Sequence, residues 1–271
     1  IGTTQDVTED YNKSLQLKQR NAELEKHVKE LNEFNQVASH DLQEPLRKIQ
    51  TFISRINDKD KELMTDAGKE YLSRMEKASD RMRLLINDLL QYSKANRAEK
   101  NLVPADLNEI LRNCLSELSP NIEDKKAVVT HAKLPVINGI HFQMHQLFSN
   151  LFSNSLKYSK ETETPIITID CTEISAKNEA VLKDRSLKKY YKINFSDNGI
   201  GFEQEYAEKI FLLFKRLHGK TEYQGTGVGL AICKKIVENH KGQIFAFGKP
   251  GQGATFTIYL PVPALVPAQT E

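Results

Sequence analysis

A chain of 271 residues is long enough for about two domains with a sizeable core. Its 38 basic and 36 acidic side chains leave a formal charge of +2, so no global field points to nucleic acid or to a membrane surface. Cys114, Cys171 and Cys233 lie far apart with no CxxC and read as reduced thiols of a cytosolic chain, and no run approaches the ~18 apolar residues of a membrane helix.

No signal peptide opens the chain. Beginning on Ile rather than Met, it reads as a fragment, which leaves room for a membrane or sensory portion upstream. Residues 1–9, IGTTQDVTE, resemble the last strand and exit of a PAS sensor domain. From Asp10 a helix is expected: Leu17, Leu24, Leu31 and Ala38 recur every seven residues, with Val28 four after Leu24. Ser14, Asn21 and Asn35 occupy the other core position, polar enough to set register in a two-stranded parallel coil over residues 10–36.

The coil feeds the stretch Val37 to Ile49, VASHDLQEPLRKI. On a helix, Leu42, Leu46, Ile49 and Ile53 form an apolar stripe, and His40 falls on another face with Asp41 beside it. A carboxylate next to an imidazole can orient one ring nitrogen and leave the other to attack, although a surface histidine on an ordinary amphipathic helix fits the same residues. Pro45 removes one backbone donor and should bend the helix. The helix is expected to end near Ile56, and residues 57–60 form a polar break. A second helix over residues 66–97 carries Leu72, Met75, Ser79, Met82, Leu85, Leu89 and Tyr92 on its core face. Two antiparallel helices bury one seam and leave apolar surface over, so two copies forming a four-helix bundle are the expected solution.

Residues 98–104 read as a linker, and a mixed pattern follows. Helices are predicted near 107–119, 141–159 and from Gly227, with strands at 128–131, 166–171, 190–195, 243–247 and 255–260. A long polar loop is expected over 174–188, and the proline-bearing tail 262–271 should be loosely packed. The whole is an α+β chain: a helical-hairpin dimerisation domain with an N-terminal coiled coil, then an α/β sandwich.

Four pieces of the second part carry nucleotide chemistry. Asn150, Asn154, Lys157 and Tyr158 share a helical face, giving two amide oxygens suited to Mg²⁺ beside a cation and a phenol for phosphate oxygens. Asp197-Asn-Gly199-Ile-Gly201 follows a strand, where a carboxylate can accept from the amine of adenine; alone it reads equally as a β-turn. Phe211 and Phe214 precede Arg216, which can reach a terminal phosphate, or the two rings are simple core. Gly225-Thr226-Gly227-Val-Gly229-Leu230 opens a helix and offers unpaired amides to phosphates, yet no GK[ST] follows and no Rossmann strand precedes it.

In this order, with His40-Asp41-x-x-x-Pro45 ahead of them, the pieces resemble the phosphoacceptor box and the asparagine, glycine and phenylalanine boxes of sensor histidine kinases. In the terms of that family, the chain is similar to a phytochrome-like HisKA dimerisation domain at 37–97 plus a HATPase_c catalytic domain at 105–261, of the superfamily shared with gyrase and MutL. The resemblance implies a protein-histidine kinase that phosphorylates its own His40 from Mg-ATP, with Asp41 as acid-base partner, and passes the group to an aspartate of a response regulator. Asn154, with Asn150, would hold Mg²⁺. Lys157, Tyr158 and Arg216 would contact phosphates, Asp197 would read adenine, and Gly199, Gly201, Gly225, Thr226, Gly227, Gly229 and Leu230 would shape the pocket and a lid at 212–226. The implied partners are a second copy and a receiver domain, with no nucleic acid and no membrane contact in this stretch. Glu44 departs from the Thr or Asn of many relatives and puts strong phosphatase activity in doubt. The alternatives are a same-superfamily ATPase, or a catalytically silent dimeric signalling scaffold.

Overall fold

The structure is a computed structural model that describes residues 7–96, 102–179, 181–182, 188–217 and 225–263. Within the first helix, the side chains of Leu17, Asn21, Leu24, Val28, Leu31, Asn35 and His40, among others, lie outside the description. The chain divides into two compact units, Ile1–Arg97 and Ala98–Glu271.

The first unit is a helical hairpin. Helix α1, Val7–Lys59, is continuous through Pro45 and reaches three residues beyond the expected end at Ile56. It already includes Val7 to Glu9, where the PAS-like exit was expected, and residues 1–6 of that stretch lie outside the described residues. The heptad seam falls mostly on side chains outside the description. A 3-10 turn at Lys61–Leu63 leads into α2, Asp66–Asn96, whose start is fixed by the Thr65 hydroxyl accepting from Gly68 N at 3.2 Å. Side-chain bonds from Gln43 to Asn87, Gln50 to Asp80 and Asn57 to Glu76 make the two helices antiparallel.

Leu46, Ile53 and Leu72 are buried between them. The expected stripes are only half covered, however: Met75 is 50% exposed, Met82 45% and Ile49 47%, Leu42 is also exposed, and Phe52, outside those stripes, is 60% exposed. One seam can shield one stripe of each helix, and these side chains point away from it.

The second unit is an α/β sandwich. Strands β1 (Val103–Asp106) and β3 (Val136–Gly139) form a small antiparallel sheet that the periodicity did not predict; β1 opens inside the stretch read as linker. Helix α3, Leu107–Glu117, begins where Asp106 accepts from Asn108 N at 2.8 Å, and Leu107, Ile110, Leu111 and Cys114 bury one face. A short α4, Ser119–Asp124, takes the end of the single helix expected to run to 119.

The main sheet is ordered β2-β4-β5-β7-β6, from β2 (Val128–His131), β4 (Ile166–Ser175), β5 (Lys189–Asp197), β7 (Gly253–Pro261) and β6 (Gln243–Lys249). Only β2 and β4 pair in parallel. Helices α5 (His141–Lys157) and α6 (Gly229–Asn239) supply the layer packed on it. Phe152 of α5 meets Phe195 of β5 edge-on at 4.9 Å, and Leu147, Leu151 and Ile236 are closed off around them. On the opposite sheet face the Thr130–Thr168, Ser196–Thr255 and Thr257–Asn194 hydroxyl and amide pairs cross strands, and Tyr190 and Tyr259 are buried farther along it.

In the stretch expected as a long polar loop over 174–188, the described residues include an apolar cluster. Leu182 is buried with Ala176, Tyr190 and Tyr259, and the Glu179 carboxylate accepts from Lys192 at 2.7 Å and Tyr259 at 3.2 Å. The outer edge of β6 is covered by one side chain: the Gln204 amide donates to Ala246 O at 3.2 Å and accepts from Gly248 N at 3.0 Å.

A buried imidazole ties the helix layer together. His240 Nε2 accepts from Ile140 N at 2.9 Å, so Nδ1 carries the proton and donates to Ile236 O at 2.7 Å. Burial lowers the His240 pKa from its ordinary 6.5, and the bond to Ile236 O opposes that fall. The unfolded chain therefore binds a second ring proton more readily, and the stabilisation His240 provides above pH 6.5 declines as pH falls through its folded value. Urea midpoints at pH 7.5 and 5.5 should differ less in His240→Gln than in the wild type.

Candidate nucleotide-binding site

The cleft is built at the C-terminal end of α5, because the two faces of that helix do different work. Leu151, Phe152, Ser155 and Leu156 turn into the core, leaving Asn154 and Tyr158 to line a cavity of about 90 Å³. From the other walls come Asp197, Gly201 and Phe202 after β5, Arg216, and Leu230 of α6. Of the residues singled out from sequence, Asn154, Tyr158, Asp197, Gly201, Arg216 and Leu230 thus share one cavity.

Asp197 sits in the cavity wall. Its Oδ1 accepts from Gly199 N at 2.9 Å and Ala254 N at 3.3 Å, and its Oδ2 accepts from the Ser155 hydroxyl at 2.9 Å. Burial pushes the Asp197 carboxyl above its ordinary 3.8, and the bonds from Gly199, Ser155 and Ala254 oppose that rise. The turn beyond it is pressed onto neighbouring backbone. Ile200 N donates to Tyr158 O at 2.9 Å, and the Asn198 amide accepts from Ile166 N at 2.8 Å while donating to Thr164 O at 3.0 Å. Gly201 has φ +66, and a side chain there would run into the carbonyl oxygens of Lys249 and Gly253. Gly201→Ala should lower both the thermal midpoint and nucleotide affinity, measured by scanning fluorimetry and titration.

The remaining predicted residues stand just outside the cavity wall. Lys157 Nζ bonds the Tyr158 hydroxyl at 2.9 Å and lies 4.3 Å above its ring. A Cβ on Gly225 would come within 2.5 Å of that ammonium, so the glycine lets the second Gly-rich segment approach α5. Arg216 Nη1 donates to Gly225 O at 3.0 Å, which couples the segment after Phe211 and Phe214 to the same glycine. Phe211 is buried, whereas Phe214 is exposed with φ +60. Asn150 Nδ2 reaches Gly229 O at 3.4 Å, and Gly227 takes φ +79 as the chain enters α6 two residues later than expected. Thr226 is half-buried. Residues 218–224, the middle of the expected lid, lie outside the described residues.

The donor set fits Mg²⁺ in one respect: Asn150 and Asn154 offer neutral oxygens, which leaves the ion's charge to phosphates and water. Among the described residues, no three His, Cys, Asp or Glu side chains gather into a metal cage.

On the hairpin, His40 belongs to α1, with its side chain outside the description, and Asp41 is exposed. One turn on, Gln43 Nε2 bonds Asn87 Oδ1 at 3.1 Å, and Glu44 pairs with Lys48 at 2.9 Å.

The family model described as His Kinase A (phospho-acceptor) domain matches residues 30–98, and that of Histidine kinase-, DNA gyrase B-, and HSP90-like ATPase matches residues 139–264. The chain belongs to the histidine kinases. Two similar proteins are Phytochrome-like protein Cph1 of Synechocystis, 32% identical over 88% of this chain, and Cyanobacterial phytochrome B of Nostoc, 37% identical over 90%. This histidine kinase chain spans 30% of the length of the first and 31% of the second. The full-length structure of ShkA in complex with AMPPNP shares its fold, with a TM-score of 0.61 and 21% identity, covering 86% of this chain and 47% of that one. The histidine kinase AdeS of Acinetobacter baumannii has a TM-score of 0.52 at 18% identity over 83% of this chain and 98% of its own. No helix among the described residues is long and apolar enough to cross a membrane.

Sequence reasoning passed over three groups at this site. Phe202 and Phe256 flank the cavity, and Ser155 holds Asp197. The aromatic pair carries no motif. Ser155 lies between two quoted motif residues, yet at core spacing it looked like filler.

Proposed function

We propose that this chain is the transmitter portion of a sensor histidine kinase: it binds Mg-ATP in the cleft, phosphorylates His40 and hands the phosphoryl group to an aspartate of a response regulator. The observation that carries this reading is Asp197, a half-buried carboxylate held by three donors in the wall of a cavity. Its charge and position suit the exocyclic amine of adenine. Asn154, Tyr158 and Arg216 line the same cavity, where the phosphates of the bound nucleotide would lie.

In the reaction, an imidazole nitrogen of His40 attacks the γ-phosphorus in line; a nitrogen–phosphorus bond forms and ADP departs with the bridging oxygen. Asp41 orients the ring through its other nitrogen and stabilises the imidazolium. Bound Mg²⁺, held by Asn154 and Asn150, would neutralise charge on the phosphates. Lys157, with its ammonium on the Tyr158 hydroxyl, and Arg216, anchored to Gly225 O, present cations at the same end.

The half-covered apolar stripes support a working unit of two hairpins, with residues 10–36 as the coil that delivers the signal. Glu44, paired with Lys48, offers an acceptor only where many relatives carry Thr or Asn, which supports weak phosphatase activity. Incubation with γ-labelled ATP and Mg²⁺ tests the proposal: an acid-labile, base-stable phosphate should appear on the chain, and its absence would refute the reading.

A further inference from the structure

The hydroxyl of Ser155 has no task in the boxes read from sequence, yet it is one of the few polar side chains inside the catalytic unit. Ser155 is 3% exposed and lies on the core side of α5 among Leu151, Phe152 and Leu156. A hydroxyl so placed needs a partner. It donates to Oδ2 of Asp197 at 2.9 Å, reaching across from the helix layer to the end of β5.

A carboxylate has about four acceptor positions, two on each oxygen. Oδ1 accepts from Gly199 N and Ala254 N, and Oδ2 accepts from Ser155. The remaining position is therefore on Oδ2, and its direction depends on where Ser155 holds the group. The backbone amides anchor one oxygen, and the Ser155 hydroxyl is the contact that keeps Oδ2 from turning about that anchor. The hydroxyl also opposes the upward pull of burial on the carboxyl, which keeps the group an acceptor.

We propose that Ser155 is a specificity-determining positioning residue: it fixes Asp197 so that the last acceptor position of Oδ2 is presented to the exocyclic amine of adenine. Guanine carries a carbonyl oxygen at the corresponding place and would set acceptor against acceptor. The proposal rests on the nucleotide reading given above and names what enforces its base selectivity.

Direct titration of the whole chain with ATP and with GTP tests it. Ser155→Ala should bind ATP about fivefold or more weakly and leave the weak GTP affinity unchanged, so that the ATP-to-GTP preference falls by the same factor. Ser155→Thr, which keeps the hydroxyl, should retain the preference. Ser155→Cys fills the same space with a poor donor and should follow Ala, deciding the matter if Ala fails to fold. An unchanged preference in Ala and Cys, or equal losses for both nucleotides, would overturn the proposal. A wild-type chain that binds no ATP would instead remove the nucleotide reading itself.

Discussion

His40→Gln protein incubated with γ-labelled ATP and Mg²⁺ is expected to take up no acid-labile label while titrating with ATP as the wild type does. The two halves of that result belong to different units of the chain. His40 lies on α1, whereas every cavity-lining residue lies beyond Ala98. Glutamine matches imidazole in polarity but supplies no nucleophile, so the loss is complete rather than graded. Asp41→Ala should behave differently: an orienting partner is worth ~10²–10⁴-fold, and slow labelling should persist on His40. Label of wild-type intensity on His40→Gln would put the acceptor elsewhere.

Asp197→Asn is expected to lose ATP affinity by about a hundredfold or more while its thermal midpoint holds or rises. Asparagine can keep accepting from Gly199 N and Ala254 N through its oxygen, and its amide can donate to the Ser155 hydroxyl. The other amide proton then meets the adenine amine, donor against donor. Stability moves the opposite way because burial raises the Asp197 carboxyl above 3.8. The native state then holds that proton more tightly than the unfolded chain, so the ionised carboxylate weighs against folding above its folded pKa and ceases to do so in acid. A neutral amide removes that burden at pH 7. Thermal scans beside ATP titrations separate the two effects; a collapsed midpoint with unchanged affinity would contradict both. GTP affinity should gain relative to ATP, since the amide can donate to the guanine carbonyl.

Legibility in the sequence followed the length scale of the signal. The bounds of α2 were readable from the polar break at 57–60 and the apolar period, and the α5 face carrying Asn154 and Tyr158 from helical spacing alone. The main strands were readable as short runs rich in β-branched and aromatic residues at 166–171, 190–195, 243–247 and 255–260, whereas their order in the sheet was not. Strands β1 and β3 escaped because each carries turn-forming residues that read as a break, Pro104 in the first and Asn138-Gly139 in the second. Met75 and Met82 looked like core because a period marks which side chains turn to one side of a helix, without saying what covers them. The buried Leu182 was not singled out within the polar loop expected over 174–188 because its partner Tyr259 is remote in sequence. Ser155 was missed for a related reason: its partner Asp197 is 42 residues away, and a single hydroxyl at core spacing carries no pattern of its own.

The Gln204 amide on the rim of β6 has a consequence for how these molecules behave when crowded. A border strand ordinarily presents an open row of donors and acceptors to which a stray extended segment can add. At Ala246 and Gly248 that row is already answered by a side chain imitating one peptide unit of a neighbour. Runaway lateral growth from this flank is thereby interrupted mid-strand.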